Sequence, residues 1–314
     1  MYIIADIGSN WDKKDDLLES IHYAKKAGAD CVKFQFYDGK KLYGPLYEKD
    51  VSRSLPKEWI PELHEKAKLD KIDFCVTPFH EDDVEFLNDY NKRFWKVASS
   101  ELTYRAMLEN IAETNKVVVL SLGAAEEADI KSAINIFRGK CDLRLMYCVA
   151  SYPTRDHDLA KIKWLQEKFG YPVGFSDHTL DVYQSAAACA YLYNCPVYEK
   201  HFKVREMNTP DSGHSLNFTN FKKMVERVKN PDQAKAISPL DSEWEMTQRH
   251  KRRLVATSEI KRGDFLMYGK NIGAYRGTTF DPQRISPYDA EKIQGKKARQ
   301  AIMPFDVITL DSVE

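Results

Sequence analysis

Residues 1–36 read MYIIADIGSNWDKKDDLLESIHYAKKAGADCVKFQF, and this stretch decides the fold. Positions 2–7 and 31–36 are short, mostly apolar runs of the kind that form buried strands. Between them, over 15–27, Leu17, Leu18, Ile21 and Ala24 recur at helical spacing, and Gly28 ends the pattern. The same alternation continues outward. Further apolar runs fall at 74–77, 94–98, 117–121, 143–149, 173–176 and 197–202. Helical patterns fall at 81–90, 103–114, 126–138, 159–169, 182–193 and 218–228, and Pro56 opens another helix where proline is tolerated. Eight strand–helix units in about 230 residues predict an α/β chain folded as a (β/α)8 TIM barrel over 1–230. A doubly wound open sheet would usually need fewer strands, and no Gly-x-Gly-x-x-Gly or phosphate loop follows the first run.

Composition changes at 231–250, which reads as a linker of Pro, Asn and small polar residues. Residues 251–314 carry short apolar runs separated by Gly and Pro, a small turn-rich second domain near the lower size limit for independent stability. Of 314 residues, 43% are hydrophobic and 30% charged, enough apolar material for a core and too much for disorder. Lys plus Arg equals Asp plus Glu at 47 each, so there is no electrostatic footprint for nucleic acid or an anionic membrane. No apolar run reaches the ~18 residues of a membrane span, and the N-terminus lacks the pattern of a secretory leader. Six cysteines without a Cys-x-x-Cys pair read as buried thiols of a reducing compartment, and a cytoplasmic protein is expected.

In such a barrel, chemistry sits at the C-terminal ends of the strands. Those ends are polar in nearly every unit: Asp6, Lys33 with Gln35, Thr77, Lys96 with Ser99 and Glu101, Ser121, Ser151-Tyr152, Ser176-Asp177-His178, and Glu199-Lys200-His201. Side chains repeat every two residues along a strand, so Lys33 and Gln35 share a face, as do Glu199 and His201. A single charge in such a run reads as a structural salt bridge, but eight polar ends together point to one shared pocket. Lys33, Lys96, Thr77, Ser99, Ser121 and Ser176 are a donor set for a phosphate and a carboxylate, although each hydroxyl alone reads equally well as a helix cap. His178 and His201 end adjacent strands about 5 Å apart. As a pair beside Asp177 and Glu199 they are candidate metal ligands, whereas a lone histidine there is more often structural. His214 can reach the site from its loop. His22, His64, His80, His157 and His250 are expected at the surface.

The ordered set Ile4-Ala5-Asp6-Ile7-Gly8-Ser9-Asn10, Val32-Lys33-Phe34-Gln35, Thr77-Pro78-Phe79, Lys96-Val97-Ala98-Ser99-Ser100-Glu101, Leu120-Ser121-Leu122-Gly123, Ser151-Tyr152-Pro153-Thr154, Gly174-Phe175-Ser176-Asp177-His178-Thr179 and Glu199-Lys200-His201-Phe202 resembles the sialic acid synthase family. That family includes N-acetylneuraminate, legionaminate and pseudaminate synthases. Arg252-Arg253-Leu254-Val255-Ala256 and Ile260-Lys261-Arg262-Gly263-Asp264 resemble its antifreeze-like (SAF) C-terminal domain. The resemblance implies a transferase that condenses phosphoenolpyruvate with an open-chain aldose, such as an N-acetylated hexosamine, and releases phosphate. It also implies a domain-swapped homodimer in which one subunit's SAF domain covers the other's barrel. His178 and His201 would hold Mn²⁺ or Mg²⁺. Lys33, Thr77, Lys96, Ser99, Ser121 and Ser176 would hold phosphoenolpyruvate. Gln35, Tyr152, Glu199 and Arg276 would face the sugar. Glu101, Asp211 and Asp6 would serve catalysis.

The sequence departs from the family in its sugar-facing loops. Asp6 replaces a glutamate, and the usual Asn-His-x-Gly is Asn10-Trp11-Asp12-Lys13. The usual Gly-Pro-Asp-His becomes Thr209-Pro210-Asp211-Ser212-Gly213-His214, and the Arg276 loop carries extra residues that make Arg284 a rival. Three other readings remain: an inactive barrel that binds sugar, a lysine Schiff-base aldolase using Lys33 or Lys96, and a metal-dependent hydrolase.

Overall fold

The computed structural model describes residues 1–44, 46, 53–230, 251–276 and 284–314. The chain divides into two compact units, Met1–Lys235 and Ala236–Glu314. The linker expected over 231–250 lies outside the described residues.

The first unit is the expected barrel. Its strands are β1 (Tyr2–Asp6), β2 (Cys31–Phe36), β3 (Asp73–Pro78), β4 (Phe94–Val97), β5 (Val117–Ser121), β6 (Leu143–Cys148), β7 (Val173–Asp177) and β8 (Val197–Lys203). They are hydrogen-bonded in the order β3-β2-β1-β8-β7-β6-β5-β4, every pair parallel, in a nearly closed sheet. Each expected run lies on a strand. The helices α1 (Lys14–Lys26), α2 (Gly39–Tyr43), α3 (Ile60–Asp70), α4 (Asp82–Leu87), α5 (Arg105–Ala112), α6 (Glu127–Phe137), α7 (Ala160–Phe169), α8 (Gln184–Tyr191) and α9 (Phe218–Lys229) alternate with them. Pro56 precedes a 3₁₀ turn, Lys57–Trp59, and α3 begins only after it. The first helix starts where Asp16 accepts the backbone N–H groups of Asp12 and Lys13, at 2.8 and 3.1 Å. Its acidic first turn and Lys25-Lys26 last turn complement the helix dipole.

Strand alternation layers the barrel interior. Ile4, Cys31, Cys75, Phe94, Val119, Met146 and Val197 form a small apolar cluster inside it. Two residues further along each strand stand Asp6, Lys33, Thr77, Lys96, Ser121, Cys148 and Glu199, with Ser176 two beyond Gly174. Gly174 itself admits the neighbouring strand, since a Cβ there would come within 2.3 Å of the Val197 carbonyl oxygen. The opposite strand faces meet the helices in a large outer core. Five of the six cysteines are buried and Cys141 is half-buried. His64 and His157 are not surface residues as expected. His64 packs edge-on against Phe74 and Tyr90, and His157 stacks on Phe175 and meets Ser185.

In the second unit β9 (Arg252–Ala256) pairs antiparallel with β10 (Ile272–Arg276), and a short helix α10 (Ala290–Ile293) follows. Leu254, Ile260, Leu266, Ile272, Ile302 and Ile308 belong to its own core. No helix among the described residues is long and apolar enough to cross a membrane.

On the outer wall of β8, Lys200 is fully buried and donates to Asp177 at 2.7 Å and to the Thr179 carbonyl at 2.6 Å. Lys200→Met leaves the Asp177 carboxylate with only neutral donors, the Thr179 N–H and the Tyr198 hydroxyl, and should cost about 3–5 kcal/mol of unfolding free energy by denaturant titration. A loss below about 1 kcal/mol would contradict this role.

Candidate active site

A cavity of about 550 Å³ opens at the C-terminal ends of the strands. It is lined by Asp6, Lys33, Gln35, Lys96, Ser99, Ser121, Cys148, Tyr152, Ser176, His178, Glu199 and His201, among others. Its floor is a network of opposite charges. The Lys33 ammonium lies 2.8 Å from Asp6 Oδ2 and 3.6 Å from Glu199 Oε2. Lys96 reaches Glu199 Oε1 at 3.5 Å and donates to Ser121 Oγ at 2.7 Å. Ser176 donates to Glu199 at 2.9 Å. Burial pushes the Lys33 pKa down, but Asp6 and Glu199 outweigh it and hold the ammonium charged. Burial pushes both carboxyl groups up, yet Lys33 with His201 lowers Asp6, and Lys33 with Lys96 lowers Glu199. Thr77 Oγ1 and Glu199 Oε2 are buried without a hydrogen-bond partner. The floor is thus charge-balanced and still short of partners, as suits a site that exchanges protein contacts for ligand contacts.

The histidines gather at one edge. His178 Nδ1 bonds the Val149 carbonyl at 2.9 Å, and its ring lies 5.5 Å from that of His201. The His201 ring in turn lies 4.5 Å from that of His214. Asp211 Oδ2 is 3.9 Å from His201 Nδ1, and Asp211 Oδ1 is 3.6 Å from His214 Nε2. The exposed Tyr152 ring sits over His178 and His214, at 4.3 and 4.9 Å. Glu101 is buried beside the cavity in a 3₁₀ turn, Ser99–Glu101, and burial raises its carboxyl pKa.

The NeuB family model matches residues 20–237. The chain belongs to the NeuB family of sialic acid synthases. It is 31% identical to pseudaminic acid synthase of Campylobacter jejuni, over 98% of this chain and 95% of that one. The spore coat polysaccharide biosynthesis protein SpsE of Bacillus subtilis superposes with a TM-score of 0.67 at 26% identity, covering 100% of this chain and 95% of that one. An N-acetylneuraminic acid synthetase of Leptospira borgpetersenii, solved with citrate, superposes with a TM-score of 0.69 at 27% identity, covering 79% and 90% of the two chains.

In this NeuB chain, eleven residues singled out from sequence share the cavity: Asp6, Lys33, Gln35, Lys96, Ser99, Ser121, Tyr152, Ser176, His178, Glu199 and His201. Thr77, Glu101 and Asp211 stand behind or beside its lining. Arg276 ends β10 in the other unit, exposed, and most of its loop, 277–283, lies outside the described residues. Two cavity features escaped the sequence reading. Cys148 lies in the polar layer between Ser99, 3.6 Å away, and His178, 4.0 Å away. Gly123 keeps that corner open, since a Cβ would come within 2.9 Å of both the Ser99 and Cys148 side-chain heteroatoms. The alternation along β6 places Cys148 there and was the signal available for it.

Burial, then repulsion from His201, drives the His178 imidazole from 6.5 down to about 4, and His214 likewise to about 4. Between those values the unfolded chain binds more protons than the folded one, so stability falls as pH drops from about 6.5 towards 4. Denaturant midpoints of chelated protein at pH 7.5, 6 and 5 should fall more for the parent than for His178→Gln. Parallel losses would contradict the assignment.

Proposed function

We propose that this NeuB-family protein is an enzyme that condenses phosphoenolpyruvate with an open-chain aldose of the acetamido type, releasing phosphate and forming a nonulosonic acid. The observation that carries this is the floor of the cavity, where two buried lysines share Glu199 beneath a ring of hydroxyls. A small dianion with a second anionic group matches two such ammonium groups. Lys96, Ser99, Ser121, Ser176 and Thr77 hold the phosphate end and Lys33 the carboxylate. Gln35, Tyr152 and Glu199 orient the aldose. Similarity to a protein named pseudaminic acid synthase supports a sialic-type product.

C3 of the enol attacks the aldehyde carbon, which takes up a proton at its oxygen. Water adds to the electron-poor C2, and the C2–O bond to phosphate breaks. Glu101, whose pKa burial raises, is suited to the proton transfers, and Asp6 and Asp211, beside His201, are the other candidates for them. A divalent metal, Mn²⁺ or Mg²⁺, held at the His178–His201 edge would supply Lewis-acid polarisation of the aldehyde. The second unit is proposed as an SAF domain that brings Arg276 to the sugar of a partner subunit in a domain-swapped homodimer. A cytoplasmic location suits this chemistry and the free thiols. The charged state of Lys33 argues against Lys33 as the amine of a Schiff-base aldolase, which needs a neutral nucleophile.

Phosphate release should require phosphoenolpyruvate, Mn²⁺ and one member of a panel of aldoses led by N-acetylmannosamine and its 6-deoxy diacetamido relatives. Release without sugar, or trapping of a keto acid by borohydride, would contradict the reaction. Lys96→Ala should weaken phosphoenolpyruvate binding by more than about tenfold in calorimetry, since a buried charge-assisted contact is lost. Unchanged affinity would remove Lys96 from the anion site.

A further inference from the structure

We propose that Asp177 and Lys200, buried in the outer wall of the barrel, are positioning residues for the reaction: they lock the turn that carries His178 to the strand that carries Glu199 and His201. This rests on the condensation proposed above and adds to it two residues that lie outside the cavity lining.

Strand alternation places them. Ser176 and His178 line the cavity, as do Glu199 and His201, so Asp177 and Lys200 face the helices instead. Parallel pairing of β7 with β8 sets Asp177 directly opposite Lys200, and both are fully buried. The Lys200 ammonium uses all three of its protons there. It donates to Asp177 Oδ2 at 2.7 Å, to the Thr179 carbonyl at 2.6 Å and to Thr179 Oγ1 at 3.1 Å. Asp177 Oδ1 accepts the Thr179 N–H at 2.8 Å, and Oδ2 also accepts the Tyr198 hydroxyl. Residues 177 and 179 are therefore tied to one ammonium, and His178 is held between them. The His178 carbonyl accepts the Thr154 N–H at 3.0 Å, and its Nδ1 meets the Val149 carbonyl at 2.9 Å. The turn then runs into α8. Thr179 Oγ1 accepts the Asp181 N–H at 3.0 Å, and Asp181 accepts the Gln184 and Ser185 N–H groups at 2.9 and 2.6 Å.

Stability alone does not require an ion pair at this place. Desolvation of two fully buried charges offsets much of their attraction, and apolar replacements of similar volume are often as stable. What an apolar pair cannot supply is direction. Lys200 stands between Glu199 and His201, so the bonds that hold its ammonium also set where these two side chains stand relative to His178. The His178 and His201 rings are 5.5 Å apart, and Ser176, beside His178, donates to Glu199 at 2.9 Å. A shift of either strand end misaligns the aldose against the enol, and a misplacement of ~1 Å can cost about 100-fold in rate.

The test separates geometry from stability. Lys200→Met leaves a buried carboxylate without its cation. The triple variant Asp177→Leu, Tyr198→Phe, Lys200→Met removes that carboxylate and the hydroxyl bonded to it, so its denaturant midpoint should lie above that of Lys200→Met. Its kcat should nonetheless stay more than about thirtyfold below the parent's, with the KM for phosphoenolpyruvate within about threefold, because Lys33, Lys96 and Ser121 stand on other strands. Amide exchange reads the clamp without turnover. The Thr154 N–H, which no substitution touches, should exchange more than about tenfold faster in both variants once the His178 carbonyl is released. Thr179→Val, which removes only a hydroxyl, carries the test if the triple variant misfolds, and should lower kcat by more than about threefold. A kcat that returns with the stability, a parental kcat in Thr179→Val, or Thr154 exchange equal to the parent's would overturn the positioning role. Faster Thr154 exchange in a protein whose parent condenses no aldose would uphold the clamp and contradict the reaction.

Discussion

Two ammonium groups inside a β-barrel are tolerable only if carboxylates meet them there, and this compensation organises the first unit. An unpaired buried charge costs several kcal/mol, more than any local preference in these strands can offset. Lys33 and Lys96 stand in the interior with Asp6 and Glu199 as partners. Pairing of β1 with β2 and with β8 sets Asp6 opposite both Lys33 and His201. A one-residue slip in β1 would turn Asp6 outward and one in β8 would turn Glu199 outward, each leaving the lysines a carboxylate short. The register that closes the barrel and the register that assembles the site are therefore the same.

The network also preforms the proposed anion site. Asp6 and Glu199 meet the lysines within the floor itself, so the ammonium groups are already placed. An incoming dianion competes with these carboxylates rather than ordering a loose loop, which limits the entropy lost on binding. Asp6, one methylene shorter than the family's usual glutamate, still reaches Lys33 at 2.8 Å. Its departure from the family pattern therefore leaves the floor intact. The altered Asn10-Trp11 stretch has a different function. Asn10 clamps the loop carrying Asp211 and His214, and Trp11 is buried against Trp59.

What the sequence conveyed follows the physics of local repeats. Period-two alternation marks which strand residues share a face, so Lys33 with Gln35 and Glu199 with His201 were legible as site residues. The apolar runs likewise placed all eight strands. His214 was legible as a loop histidine within reach of the site but not in its final place, because its position depends on Ser9 and Asn10, some two hundred residues away in the chain. Cys148 was passed over because a buried thiol and a cavity-lining thiol look alike in a run of apolar residues. His64 and His157 were misjudged for a related reason, since helix and loop positions do not reveal aromatic neighbours from other elements.

The central claim is that the cavity breaks the C2–O bond of phosphoenolpyruvate while joining its C3 to an aldose. Turnover in ¹⁸O-labelled water, with mass analysis of both products, tests this most directly. The label should appear at C2 of the sugar acid and be absent from the released phosphate. Label in the phosphate would mean cleavage at phosphorus, and the condensation would be contradicted.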